Sequence, residues 1–201
     1  MRNDIARRSS ICIVGRLALG LVLFGACLIP ATADEWNKKT IVTFSAPVEV
    51  PGKVLPPGTY VFKLLDSSSN RNIVQIWDKD EKQLYATIMG IPDYHLETPE
   101  KPIINFDERP SNTPEAVKAW FYPGDNYGVQ FVYPHDQAVR VAKRTKQNVL
   151  SMRNEMANNI TTPAESKSAP SVQEMEKTEV TGVNSAGEDI DVRVVVRPKP
   201  R

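Results

Sequence analysis

The sequence is poor in the side chains that build most catalytic and metal sites. Its 201 residues include two cysteines, Cys12 and Cys27, and two histidines, His95 and His135. Both cysteines lie within a segment, residues 1–33, that has the pattern of an export signal, so we expect no disulfide and no thiolate metal site in the mature chain. Neither histidine belongs to a spaced ligand motif. We therefore predict no metal and no cofactor.

An excess of charge of either sign is also missing. The chain has 25 Lys and Arg against 24 Asp and Glu. Removing residues 1–33, with four Arg and one Asp, leaves 21 basic against 23 acidic residues. Nucleic-acid binding relies on a basic surface that neutralises phosphates, so we predict no nucleic-acid partner.

Catalytic motifs are absent as well. The sequence contains no Gly-x-Ser-x-Gly elbow and no glycine-rich phosphate loop that leads into a helix. The neighbouring carboxylates Asp107 and Glu108 suit acid–base chemistry, but their spacing alone does not pair them across a cleft. Arg109, next to them, favours an ordinary surface ion pair. We predict a protein without enzymatic activity.

The first 33 residues predict export. A basic start with Arg7 and Arg8 precedes an apolar stretch, and small residues lead up to Ala33, where we expect a signal peptidase to cut. The alternative is a lipobox that ends at Cys27, which would tether the protein to a membrane by acyl chains. The predicted location is periplasmic or secreted, or lipid-anchored if Cys27 is modified. No later apolar run is long enough to cross a bilayer.

Residues 34–153 predict a β-sandwich domain of about seven short antiparallel strands with one C-terminal amphipathic helix. Short alternating segments separated by Pro and Gly turns are typical of sandwiches or small barrels. Residues 73–77 and 84–91 form the clearest hairpin, and residues 116–122 and 129–133 form a second. After Asp136, which can cap a helix, the apolar residues recur near helical spacing as far as Met152.

The remainder of the chain predicts a linker and a terminal strand. Residues 154–188 contain no aromatic side chain and are rich in polar residues, so we expect them to be disordered. Residues 189–201 alternate Val with Asp and Arg, which is typical of a strand, and end in a basic tail. This strand could return to its own sheet or add to the sheet edge of a partner.

The stretch from Trp120 to Tyr127 carries the clearest hint of ligand binding. Trp120, Tyr122, Asp125 and Tyr127 could form an aromatic platform that stacks on a sugar ring. Strand alternation requires at least one face of this segment to be core, and burial of the aromatic rings is the favoured interpretation.

Two stretches identify a resemblance. The sequences VLPPGTYVF, at residues 54–62, and AWFYPGD, at residues 119–125, resemble a family of largely uncharacterised exported bacterial proteins. The likeness extends over about residues 38–145 and implies no established catalytic residues. Some members of this family end in a hydrophobic anchor, whereas this chain ends in the basic segment.

The sequence as a whole favours an exported, non-enzymatic module of the cell envelope that binds another protein or an envelope polymer. The alternative is a carbohydrate-binding or carbohydrate-active envelope protein that uses the region of Trp120, Tyr122 and Tyr127, with Asp107 or Glu108 as acid or base. In either case a membrane partner is expected only if Cys27 is lipidated.

Overall fold

The computed structural model describes residues 38–65, 72–107 and 113–196, and these residues build two β-sheets with helices packed against them. The predicted cleavage site at Ala33, the alternative lipidation site Cys27, and the residues Glu108 and Arg109 lie outside the described residues. The first sheet contains, in chain order, β1 Lys39–Phe44, β2 Val48–Val50, β3 Lys53–Leu55, β4 Gly58–Leu65, β5 Asn72–Asp78, β6 Leu84–Tyr94, β7 Ile103–Asp107, β8 Glu115–Phe121 and β9 Tyr127–Phe131.

The fold is mainly β and sandwich-like, as the sequence predicts. The strands of the first sheet follow the order β1-β4-β5-β6-β9-β8-β2-β3, and β7 also pairs with β8. Both predicted hairpins are confirmed, since β5 pairs with β6 and β8 with β9, each antiparallel. Strand β6 pairs with β5 up to Gly90 and with β9 from Gly90 onward. A Cβ at Gly90 would collide with Val129 on β9, so the exchange of partners requires glycine there.

The second sheet and the first helix follow the hairpin. The sheet has the order β10 Tyr133–Pro134, β11 Val149–Met152, β12 Thr181–Val183 and β13 Asp189–Ile190. Helix α1, His135–Thr145, begins one residue before the predicted cap, and Pro134 at its N-cap makes no side-chain cap. The prediction that the helical spacing continues to Met152 is wrong: Lys146 adopts the left-handed conformation that ends α1, and the chain continues as β11.

The structure corrects the predicted disordered linker over residues 154–188. This segment contains a 3-10 turn, Asn154–Met156, and the helices α2, Ala157–Thr161, and α3, Pro170–Lys177, before β12. Most of its larger apolar side chains are buried, among them Met156, Ile160, Val172, Met175 and Val183. The low apolar content led to the wrong prediction because these side chains do not have to form a separate core. They become buried where α2 and α3 pack against β6 of the first sheet.

The structure also corrects the predicted terminal strand. Of its described residues, 189–196, Asp189–Ile190 form a strand, which pairs with β12 of the same chain. Residues Val192–Val196 form helix α4, where Val195 is buried against Gly182. Asp191 starts this helix because its carboxylate accepts a hydrogen bond from the Arg193 backbone N–H at 2.8 Å. The described part of this segment therefore packs on β12 of its own chain.

The described residues, 38–65, 72–107 and 113–196, belong to one compact unit. Among the described residues, no helix combines the length and the hydropathy that a bilayer crossing requires.

Candidate functional site

The predicted aromatic platform is not formed by Trp120 and Tyr122, because both side chains belong to the core. Trp120 is 0% exposed and Tyr122 is 2% exposed. The Trp120 ring lies 5.0 Å from the Tyr122 ring and 6.0 Å from that of Phe62, in edge-to-face contacts. Burial raises the pKa of Tyr122 far above its ordinary value. The favoured interpretation, that this face of β8 is core, is confirmed.

Asp125 and Tyr127 lie at the surface end of this aromatic row. Lys38 contacts two residues near the start of the β8–β9 turn. Its Nζ lies 3.4 Å from the Asp125 carboxylate and 5.0 Å from the centre of the Tyr122 ring. The Asp125 carboxylate also accepts a hydrogen bond from the Tyr127 backbone N–H at 3.1 Å. Tyr127 is half-buried, and burial raises the pKa of its hydroxyl, which also accepts a hydrogen bond from Asn72.

The exposed ring at this end is Tyr94, which sequence reasoning passed over. Tyr94 is 69% exposed and packs edge-to-face on Tyr127 at 5.7 Å, while Leu96, two residues on, is fully exposed. We call the segment Tyr94–His95–Leu96 the loop patch. Its only sequence signal was the pair of large apolar residues on either side of His95, in a segment without strand or helix periodicity.

The loop patch is held in place from beneath. The His95 backbone N–H donates to the Asn126 carbonyl at 2.8 Å, and the Gly124 N–H donates to the Pro99 carbonyl at 2.9 Å. The His95 ring packs against Phe121 at 5.5 Å, and its Nδ1 lies 2.9 Å from the Glu97 carbonyl. These contacts join the loop after β6 to the β8–β9 turn, so Tyr94 and Leu96 are exposed on an ordered backbone.

A second feature is a polar interface between α1 and strand β2 of the first sheet. The buried carboxylate of Glu49 accepts hydrogen bonds from Arg144 at 2.5 Å and from Gln137 at 3.0 Å. The Gln137 amide also donates to the Val50 carbonyl and accepts from the Gly52 N–H. We call these three side chains, Glu49, Gln137 and Arg144, the α1 polar interface.

Asp107, which the sequence-based carbohydrate hypothesis proposes as an acid or base, lies near this interface and is 2% exposed. Its closest cation is Lys118, with Nζ 3.9 Å from Oδ1, and Oδ1 makes no hydrogen bond within the described residues. Burial raises the pKa of Asp107 to about 6, against the lowering effect of Lys118 and Arg144. Such a carboxyl can hold a proton near neutral pH, but no described nucleophile contacts it.

The two histidines lie in different places. His95 belongs to the loop patch, whereas His135 starts α1 and lines a cleft of about 380 Å³ together with Ser151 and Asp189. These three residue types suggest a catalytic triad, but His135 Nε2 lies 3.0 Å from Asp189 and its Nδ1 lies 3.7 Å from Asp136. Both ring nitrogens therefore face carboxylates, and the buried Ser151 hydroxyl makes no hydrogen bond within the described residues. No group of three or more metal-ligating side chains occurs in the part of the chain that the structure describes.

Comparison with protein-family models, with curated proteins and with solved structures found no match to this chain. The resemblance over residues 38–145 therefore stays a prediction.

Proposed function

We propose that this protein is an exported, non-enzymatic module of the cell envelope that binds another protein through the loop patch. The observation that carries the proposal is the exposure of Tyr94 and Leu96 on a backbone fixed by the β8–β9 turn. Exposed large apolar side chains are costly in water, and the centres of protein interfaces are rich in aromatic anchors of this kind.

The order of the loop patch supports this role further. A partner that binds a flexible loop must offset the entropy of ordering it, whereas His95 and the two backbone hydrogen bonds already hold this loop. The Tyr94 ring is held on one side, because it packs edge-to-face on Tyr127. The partner expected is a protein with an apolar pocket that accepts a tyrosine and a leucine.

Site-specific photo-crosslinking in intact cells tests the proposal. A photo-reactive amino acid at Leu96 should give a discrete adduct with one envelope protein, and the substitution Tyr94→Ser should abolish it. The matched control is the same amino acid at Lys79, which is also exposed but lies in the turn before β6, at the opposite end of that 11-residue strand. The proposal fails if both positions give the same adducts, or if Leu96 gives no protein adduct.

A second candidate function, carbohydrate binding, is favoured by the Tyr94 ring itself. Tyr94 and Tyr127 together with Asp125 bring an exposed aromatic face and a carboxylate to one end of the sheet, a combination that suits sugar rings. Tyr94 takes the place that Trp120 and Tyr122 had in the sequence-based version of this hypothesis. A glycan adduct from Leu96, or a saturable shift of the Tyr94 resonances with cell-wall glycans, would favour this function over protein binding.

Export and the form of the N-terminus are part of the same proposal and rest on residues 1–33. Native mass spectrometry of the protein recovered from its own envelope distinguishes the alternatives. A mass that begins at Asp34 supports cleavage after Ala33, and a diacylglycerol adduct supports lipidation at Cys27. A mass that begins at Met1 would contradict export.

A further inference from the structure

The cleft at the start of α1, separate from the loop patch, has the size of a small-ligand site. Its volume is about 380 Å³, within the ~300–1,000 Å³ range of such sites. His135 of α1, Ser151 of β11, Thr181 of β12 and Asp189 of β13 line it, together with the turn that follows β11. We call it the Ser151 cleft.

The Ser151 hydroxyl is a buried polar group that the surrounding side chains leave unpaired. Ser151 is 1% exposed, and its Oγ makes no hydrogen bond within the described residues. Burying a hydroxyl without a partner costs free energy, so such groups are normally paired in folded proteins. A ligand in the cleft that donates a hydrogen bond would supply this partner.

The strand register places this hydroxyl on the cleft side of the second sheet. Val149 lies two residues before Ser151 on β11, so both side chains point to the same face. Val149 lies opposite Val183, and Val183 lies opposite Asp189, which puts the Asp189 side chain on that face as well. The Asp189 carboxylate in turn contacts His135 Nε2 at 3.0 Å. Ser151 therefore faces the same space as the imidazole and the carboxylate.

The charged residues of the Ser151 cleft favour a cation. Glu155, Glu179 and Asp189 contribute three carboxylates, against the single guanidinium of Arg153. With His135 counted as neutral, one positive charge against three negative charges leaves a net charge of −2 on the lining. Two ammonium groups would neutralise it.

The distribution of these carboxylates indicates an organic cation rather than a chelated metal ion. They come from three separate segments, namely the 3-10 turn after β11, the residues before β12, and β13. Within the described ranges, no three metal-ligating side chains converge closely enough to hold a metal ion. A linear aliphatic diamine carries its two charges at opposite ends of a chain, and each ammonium group has N–H donors that a hydroxyl can accept.

We propose that the Ser151 cleft binds a linear aliphatic diamine. One ammonium group donates a hydrogen bond to the Ser151 hydroxyl and pairs with the Asp189 carboxylate, whose Oδ1 also contacts His135. The other ammonium group faces Glu155 and Glu179. This site is independent of the loop patch, since none of these side chains belongs to it.

The test is titration of the full mature chain with putrescine at neutral pH, followed by NMR chemical shifts and calorimetry. We expect saturable binding, and we expect Ser151→Ala to weaken it about tenfold, because a hydrogen bond from a charged donor is lost. Ser151→Ala should not lower the melting temperature of the free protein, since it removes an unpaired buried hydroxyl. N-permethylated putrescine keeps both charges but has no N–H donor, so it should bind the unaltered protein and Ser151→Ala equally and weakly.

Two glutamate variants provide a matched pair for the charge of the cleft. Glu179→Gln should weaken putrescine binding about threefold, because it removes one carboxylate of the lining. Glu165→Gln removes the same charge from an exposed residue that does not line the cleft, and it should bind putrescine like the unaltered protein. The monoamine n-butylamine should bind at least about tenfold more weakly than putrescine.

Failure of the unaltered protein to bind putrescine at millimolar concentration would overturn the proposal, and so would equal affinity of the Glu179→Gln and Glu165→Gln variants. Equal affinity for n-butylamine and putrescine would overturn the assignment of a diamine. None of these outcomes bears on crosslinking from Leu96, so the two proposals can fail separately.

Discussion

The protein is held together in two chemically different ways at two buried regions. Around Trp120 the first sheet buries an aromatic core, in which Phe62 and Phe131 are almost fully buried and the rings meet edge-to-face or tilted. At the α1 polar interface, helix and sheet meet through the ion pair of Glu49 and Arg144 and the amide of Gln137.

The two regions contribute differently to the fold: the aromatic core supplies stability, and the α1 polar interface sets the orientation of the helix. Apolar burial is non-directional and grows with area, so the aromatic core favours any compact arrangement that buries it. Hydrogen-bonded charges are directional, and desolvation offsets most of their attraction. We expect the aromatic core to provide most of the free energy of folding. We expect the α1 polar interface to fix the orientation of α1 relative to strand β2.

The largest expected effect comes from removing the centre of the aromatic core. Trp120→Ala should lower the free energy of unfolding by about 4 kcal/mol, because it leaves a cavity among Phe62 and Tyr122. Urea denaturation followed by circular dichroism measures this loss. Tyr94→Ala, which removes an exposed ring, should change it by less than about 0.5 kcal/mol. Equal losses for the two variants would contradict the division into core and loop patch.

The next effect tests the α1 polar interface. Arg144→Leu should lower the free energy of unfolding by about 2–3 kcal/mol, since it leaves the buried Glu49 carboxylate with Gln137 alone. Adding Glu49→Leu should restore about 1–2 kcal/mol, because the uncompensated charge is then gone as well. The same denaturant titration on both variants provides the comparison. If the double variant is less stable than the single one, the interface stabilises the fold more than it aligns it.

A third prediction concerns the segment 154–188. Met175→Ala should cost about 2 kcal/mol, because Met175 is fully buried although it belongs to a segment of low hydropathy. Lys177→Ala, two residues on and exposed, serves as the control and should have little effect. A disordered segment would leave both variants as stable as the unaltered protein.

These regions also explain how far the sequence could predict the structure. In each of the two hairpins a short polar turn separates two segments rich in strand-forming residues, so their pairing followed from the sequence. Met156, Ile160 and Met175 are too sparse to form a pattern, and they are buried only because a sheet lies beneath them.

The functional regions escaped prediction for a related reason. Glu49 lies 95 residues before Arg144, and nothing in either neighbourhood records that they meet; the only local signal was a glutamate between Val48 and Val50. Exposure of Tyr94 and burial of Trp120 depend on which sheet face the rest of the chain covers, and a single strand's alternation does not determine that.

The smallest expected effect is the pH dependence that Asp107 contributes. The pKa of this carboxyl is about 6 in the folded protein and about 4 in an unfolded chain, so the folded state binds the proton more tightly. Stability from this group is therefore fully present below about pH 4 and falls as the pH rises through 6. Between pH 5 and pH 7 the unaltered protein should lose about 1 kcal/mol relative to Asp107→Asn, which carries no charge at either pH.

Urea titrations of both proteins at the two pH values measure this difference. The groups that interact electrostatically with the Asp107 carboxyl are Lys118 on β8, Arg144 on α1 and Tyr133 on β10. The part of the pH dependence that the Asp107→Asn replacement removes is the contribution of Asp107. A constant difference between the two proteins at pH 5 and pH 7 would mean that Asp107 keeps one protonation state across this range, and would contradict the prediction.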